Sequence, residues 1–218
     1  MIRATAATLL CVAAAAAVPT VDAETTTAEA VVARTKSPLS DYSLYQWTEV
    51  RPDDTSRFSF WAAEFHRGSL HRVETPMDRL VADCSAMTGT HLSLVTGETK
   101  SGRDVAETAC GIDMMNAAAP GYAGRLDSGY GALDIIKLRK DQLDRVYWIS
   151  PAGLIIQSEF RKGSGANDWV LRNWAIRVEM TSPSEKMFSP DSLSASFVPI
   201  YIQAGRSAEY PPDFGHRP

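Results

Sequence analysis

Glu64, His66, His71 and Glu74 flank the triplet Arg67-Gly68-Ser69, and their types and spacing suit chemistry. If the triplet turns the chain, Glu64 and His66, two residues apart, project from one face of a strand. His71 or Glu74 then lies beside them on the partner strand. Two imidazoles and a carboxylate are the groups that hold zinc or pass a proton. Polar residues are also ordinary near a hairpin tip, no His-Glu-x-x-His motif is present, and only His91 offers itself as a further ligand. The cluster therefore stands as a candidate polar site, with no metal and no cofactor assigned to it.

Other catalytic signatures are missing. The chain has no Gly-x-Ser-x-Gly elbow, and no Ser-x-x-Lys with its accompanying motifs. A two-carboxylate glycosidase leaves no spacing signature that a sequence would reveal. The glycine-rich stretch 121–131 lacks Gly-Lys-Ser/Thr and misses the dinucleotide spacing, so it reads as a long connection. Its Tyr122, Arg125, Asp127 and Tyr130 are available for contact with a ligand or partner. No catalytic residue is assigned, and the reading leans away from an enzyme without deciding the point. Five tryptophans offer more. On alternating strands most belong to the core, while Trp61, Trp148 and Trp174 are the candidates to line a sheet face that takes an apolar ligand.

The N-terminus decides the compartment in which any such site works. Arg3 precedes an apolar, alanine-rich run from Ala4 to Val18, followed by Pro19 and Val21-Asp22-Ala23. That order is that of a secretory signal peptide over residues 1–23, with cleavage expected after Ala23. The run of 15 residues is shorter than the roughly 20 that a membrane span requires. Export also changes the cysteine count, because Cys11 leaves with the leader. Cys84 and Cys110 remain, and in an oxidising periplasmic or extracellular setting they are expected to form one disulfide. Closing a loop of that size contributes about 3–4 kcal/mol in the chain-entropy picture.

Composition narrows the partners. The net charge is −4, and it does not change when the leader departs with one base and one acid. A mildly acidic chain without a basic stripe excludes nucleic acid as the expected partner. It equally excludes a polybasic membrane anchor. With the leader removed, the chain is long enough for one domain with a real core.

The elements follow from turn chemistry and period-two patterning. Residues 24–40 read as a flexible arm in which 28–33 could form a short helix. Strands are expected over 42–50, 58–66, 70–75, 78–85 and 90–96, separated by Pro-Asp, Gly-Ser, Pro-Met and Thr-Gly turns. A short helix over part of 101–119 is tied back through Cys110. Strands resume over 132–139, 145–149, 154–161 and 169–180, with Ser150-Pro151-Ala152-Gly153 as a hairpin turn. Ser182-Pro183-Ser184-Glu185 has the form of a helix cap, and 193–202 reads as an edge strand interrupted by Pro199. Residues 205–218 read as an irregular tail.

The expected fold is thus mainly β: an antiparallel meander forming a curved open sheet, small barrel or sandwich, with one or two short helices, in a single domain over 41–204. In architecture alone it resembles curved-sheet periplasmic proteins that carry lipid chains or sense envelope components, and no motif matches them residue by residue. The functional expectation is an exported, non-catalytic β-domain that binds an apolar small molecule or an envelope protein. Its alternatives are an envelope hydrolase built on the Glu64/His66/His71 cluster, with or without zinc, and a structural protein that pairs through a sheet edge.

Overall fold

A computed structural model describes residues 27–163, 165 and 168–204. The expected leader, its cleavage site and the tail from 205 onward lie outside the described residues. The helix α1 (Ala28–Lys36) opens the described chain, capped by the Thr27 hydroxyl, which accepts from the Ala30 amide at 3.2 Å. It falls within the stretch read as a flexible arm. Val31 and Val32 are buried there against Ile136, Leu138, Tyr147 and Ile149 of the sheet.

Eleven strands follow: β1 (Tyr42–Val50), β2 (Phe58–Arg67), β3 (Leu70–Glu74), β4 (Asp78–Asp83), β5 (Thr88–Ser93), β6 (Thr99–Gly102), β7 (Gly121–Ser128), β8 (Gly131–Lys140), β9 (Leu143–Ile149), β10 (Ile155–Arg161) and β11 (Trp169–Glu179). All join one open antiparallel sheet in the order β6-β5-β4-β3-β2-β1-β11-β10-β9-β8-β7. The fold is therefore the open-sheet form of the expected class, and it does not close into a barrel. Two meanders run outward from a central pair, β1 and β11. Consecutive strands β6 and β7 consequently lie at opposite edges, so residues 103–120 must cross the molecule. The helix α2 (Arg103–Ala109) opens that crossing. The Cys84–Cys110 disulfide ties its C-terminal end to the end of β4.

From β1 to β5 the register runs without a shift, so cross-strand rows can be followed residue by residue. Residues directly opposite share a face. Tyr45-Ala63-Glu74-Arg79 is one row, and Ser43-Phe65-Arg72-Val81 is the next on that face. Leu44-Glu64-Val73-Leu80-His91 and Tyr42-His66-His71-Ala82-Gly89 form two rows on the other. The first face is covered by the C-terminal segment. Met187, Phe188, Val198 and Ile202 pack there with Tyr45, Trp47, Trp61, Phe65 and Trp174. The second carries α2, whose Ala106 and Ala109 pack with Ala82. Gly89 permits this: a Cβ there would lie 2.9 Å from the Ala106 amide nitrogen.

Two expectations are corrected. The glycine-rich stretch read as a connection is strand β7, which pairs with β8 through a register shift between Tyr122 and Gly124. Gly124 sits in that shift with φ +117°, a backbone conformation that only glycine adopts freely. The strand expected over 193–202 is instead a 3-10 turn, Pro190–Ser194, and a short helix α3 (Ile200–Gln203). Its backbone finds side-chain partners in place of a neighbouring strand. Arg72 donates to the carbonyls of Met187, Ser192 and Ala195, Arg79 donates to that of Leu193, and Glu74 accepts from the Phe197 amide.

Candidate functional site: a cleft between the second helix and the sheet

The β2–β3 hairpin turns at Gly68-Ser69, where Asp41 accepts from the Gly68 amide at 2.9 Å. This brings His66 and His71 directly opposite each other, with their Nδ1 atoms 3.5 Å apart. Tyr42, the partner of His66 on β1, stacks on the His66 ring at 5.4 Å and meets His71 edge-on. The Tyr42 hydroxyl donates to Glu64 Oε2 at 3.3 Å. Three of the four expected residues are thus together, with Tyr42 added. Glu74 is not with them. It stands three positions after His71, an odd spacing that turns it to the opposite face. There it receives Arg72 at 2.7 Å and bonds Ser196. His91 also stays apart and pairs with Asp78 at 2.8 Å.

Both imidazoles are buried. Burial pushes the His71 pKa down to about 3, and the neighbouring His66 adds to the effect. Burial also lowers His66, although Asp41 opposes it. Burial raises the Glu64 carboxyl to about 7 against the bond from Tyr42. At neutral pH the two rings are uncharged, a polar plug within the sheet face. Among the described residues no three metal-type ligands converge. The arrangement can hold a proton on Glu64, which is partly buried beside the two buried imidazoles.

The open concavity lies one step along the same rows. Val73 opposes Glu64 on one side and Leu80 on the other, and Leu80 opposes His91. With Thr75, Asp78, Asp104, Val105 and Thr108 they line a cleft of about 390 Å³ between α2 and β3–β5. Val73, Leu80 and Val105 are its apolar walls. A second hollow of about 370 Å³ lies beside α2, where Met87, Met114 and Met115 meet Lys36, Arg103, Glu107 and Asp113.

The tryptophans lie away from this cleft. Trp47 pairs with both Trp61 and Trp174, and all three are buried under the C-terminal segment. Trp148 belongs to a separate cluster with Leu133 and Leu154. Of the candidates from the glycine-rich stretch, Asp127 is exposed, and Tyr130 donates to the Ala175 carbonyl. Tyr122 and Arg125 both bond the buried Asp134, which receives Arg34 of α1 as well. Burial alone would raise that carboxyl, but the bonds from Arg34, Arg125 and Tyr122 hold it below the ordinary range.

No protein-family model matches this chain, and no curated relative matches its sequence. Solved structures match the fold. An uncharacterized conserved protein from Thermus thermophilus is 12% identical, with a TM-score of 0.50 over 76% of this chain and 96% of that one. The likeness is one of fold. A LolA superfamily protein from Nitrosomonas europaea (8% identity, 77% of this chain and all of that one, TM-score 0.42) and MucB in complex with MucA (14% identity, 84% of this chain and 63% of that one, TM-score 0.43) are more distant in shape.

Proposed function

We propose that the protein is an exported, non-catalytic binding domain that takes an apolar ligand in the cleft between α2 and the sheet. The observation that carries this reading is the cleft itself. Its volume of about 390 Å³ falls at the small end of the range of ligand pockets, and Val73, Leu80 and Val105 present apolar walls to it. The helix that forms its roof is seated on Gly89 and Ala82 and anchored by the disulfide. That bond and the leader-like N-terminus support export to an oxidising compartment. No helix among the described residues is long and apolar enough to cross a membrane.

The test is titration of the exported protein with the fluorescent apolar probe N-phenylnaphthylamine. Saturable binding is expected, and Leu80→Asp should weaken it at least about tenfold, the equivalent of roughly 1.4 kcal/mol. Thr90→Asp, on the opposite face of the sheet, should leave it unchanged. No saturable binding, or equal loss in both variants, would remove the cleft as the site. The alternative favoured by one observation is partner binding by strand addition. At one edge of the sheet β7 presents eight residues with no neighbouring strand on its outer side among the described residues.

A further inference from the structure

The rim of the cleft is charged, and the charge has one dominant sign. Asp78 and Asp104 line it together with Thr75, Thr108 and His91, and no lysine or arginine is among the lining residues. Asp78 is engaged by His91. Asp104, in the first turn of α2, is exposed and forms no ion pair within the described residues. Two bases stand close in sequence and register to the lining, and neither is part of it. Arg103 is turned to Glu107 at 2.9 Å beside the other hollow. Lys100, opposite His91 on β6, shares the cleft's sheet face but is exposed and outside the lining. Among the lining residues, Asp78 and Asp104 outnumber the one group, His91, that can carry a positive charge.

An apolar trough that ends at two carboxylates, one of them without an ion pair among the described residues, is complementary to a molecule with an apolar chain and a positive head. We infer that the cleft selects amphiphiles carrying an ammonium head group and rejects those carrying a carboxylate. The alkyl chain lies on Val73, Leu80 and Val105, and the head group lies between Asp78 and Asp104. This rests on the cleft being the binding site. Close to a protein surface, one unit charge a few ångströms from another shifts an affinity by about an order of magnitude or more, so three ligands with the same chain are expected to separate by head group.

The experiment displaces N-phenylnaphthylamine from the wild-type protein with dodecylamine, dodecanol and dodecanoate, each below its micelle concentration, at neutral pH and low salt. Dodecylamine should bind about tenfold more tightly than dodecanol, and dodecanoate about tenfold more weakly. Raising the salt to about 0.5 M should compress that spread, because screening acts on rim charges and not on the apolar walls. Asp104→Asn should reduce the advantage of the amine several-fold without changing dodecanol, and Asp104→Lys should favour dodecanoate. Equal binding of all three ligands, or a preference for dodecanoate, overturns the inference and leaves the cleft standing. Failure of all three and of the probe removes the cleft, and the inference with it.

Discussion

Arg72 is the residue whose loss the fold should feel most. Its guanidinium is fully buried and donates to Glu74 at 2.7 Å, to the Met187 carbonyl and Ser192 hydroxyl at 2.7 Å each, and to the Ala195 carbonyl at 2.8 Å. Arg72→Met fills much of the same volume but leaves Glu74 as a buried carboxylate and strips partners from the covering segment. Breaking a buried ion pair by removing one partner costs about 3–5 kcal/mol. Arg79 stays 3.6 Å from Glu74 as a partial counter-charge, which places the expected loss at the lower end, about 3 kcal/mol. That is a large share of the ~5–15 kcal/mol by which domains are stable.

The assay is urea unfolding followed by tryptophan fluorescence, since Trp47, Trp61 and Trp174 lie beneath the segment that Arg72 holds. The midpoint should fall, and limited proteolysis should cut first within 183–204. The double variant Arg72→Met/Glu74→Leu should recover part of the loss, because the buried carboxylate is removed together with the guanidinium that paired it, while Arg79 loses its weaker contact. A single variant within about 1 kcal/mol of wild type, or a double variant worse than the sum of its parts, would refute the view that the charge pair is what anchors the segment.

Two further outcomes follow from the geometry. Gly153→Val places a β-branched residue at φ +93°, with its Cβ 2.4 Å from the Arg34 carbonyl oxygen, so α1 must shift. A loss of about 3 kcal/mol or more is expected, a drop in Tm on the order of 10 °C, whereas Gly129→Ala, which meets nothing, should be neutral. The second outcome concerns pH. Glu64 titrates near 7 in the folded chain and near 4.5 when unfolded, so the folded state holds an extra proton between those values, and the stability associated with it is lost as pH rises from 4.5 to 7. His71, about 3 folded against 6.5 unfolded, acts in the opposite sense, with stability lost as pH falls below 6.5 toward 3. The two slopes oppose each other between 4.5 and 6.5. Glu64→Gln isolates the first: relative to wild type, the variant should gain up to about 3 kcal/mol between pH 4.5 and 8 in denaturant titrations. A pH-independent difference between the two proteins would show that Glu64 titrates normally.

Strand identity was written locally. Period-two patterning and Gly-Ser, Pro-Met and Pro-Ala-Gly turns located most strands to within a few residues, because side-chain alternation and turn backbone depend only on near neighbours. The pairing of Cys84 with Cys110 followed from counting. Even the parting of Glu74 from His71 was legible, since three residues along a strand reverse the face. Glycine hid β7, whose strand character comes from pairing with β8 around a bulge and not from its own composition. The fate of each face was decided at long range. Trp47, Trp61 and Trp174 became core because residues 187–202 return to cover them, held by Arg72 and Glu74 of a strand more than a hundred residues earlier. The unremarkable Val73, Leu80 and Val105 became a cleft because β6 and β7 occupy opposite edges, which sends α2 across that face. A sequence states which side chains share a face of a strand. Only the tertiary structure, through contacts between segments distant in the chain, decides which of those faces is covered and which is left open.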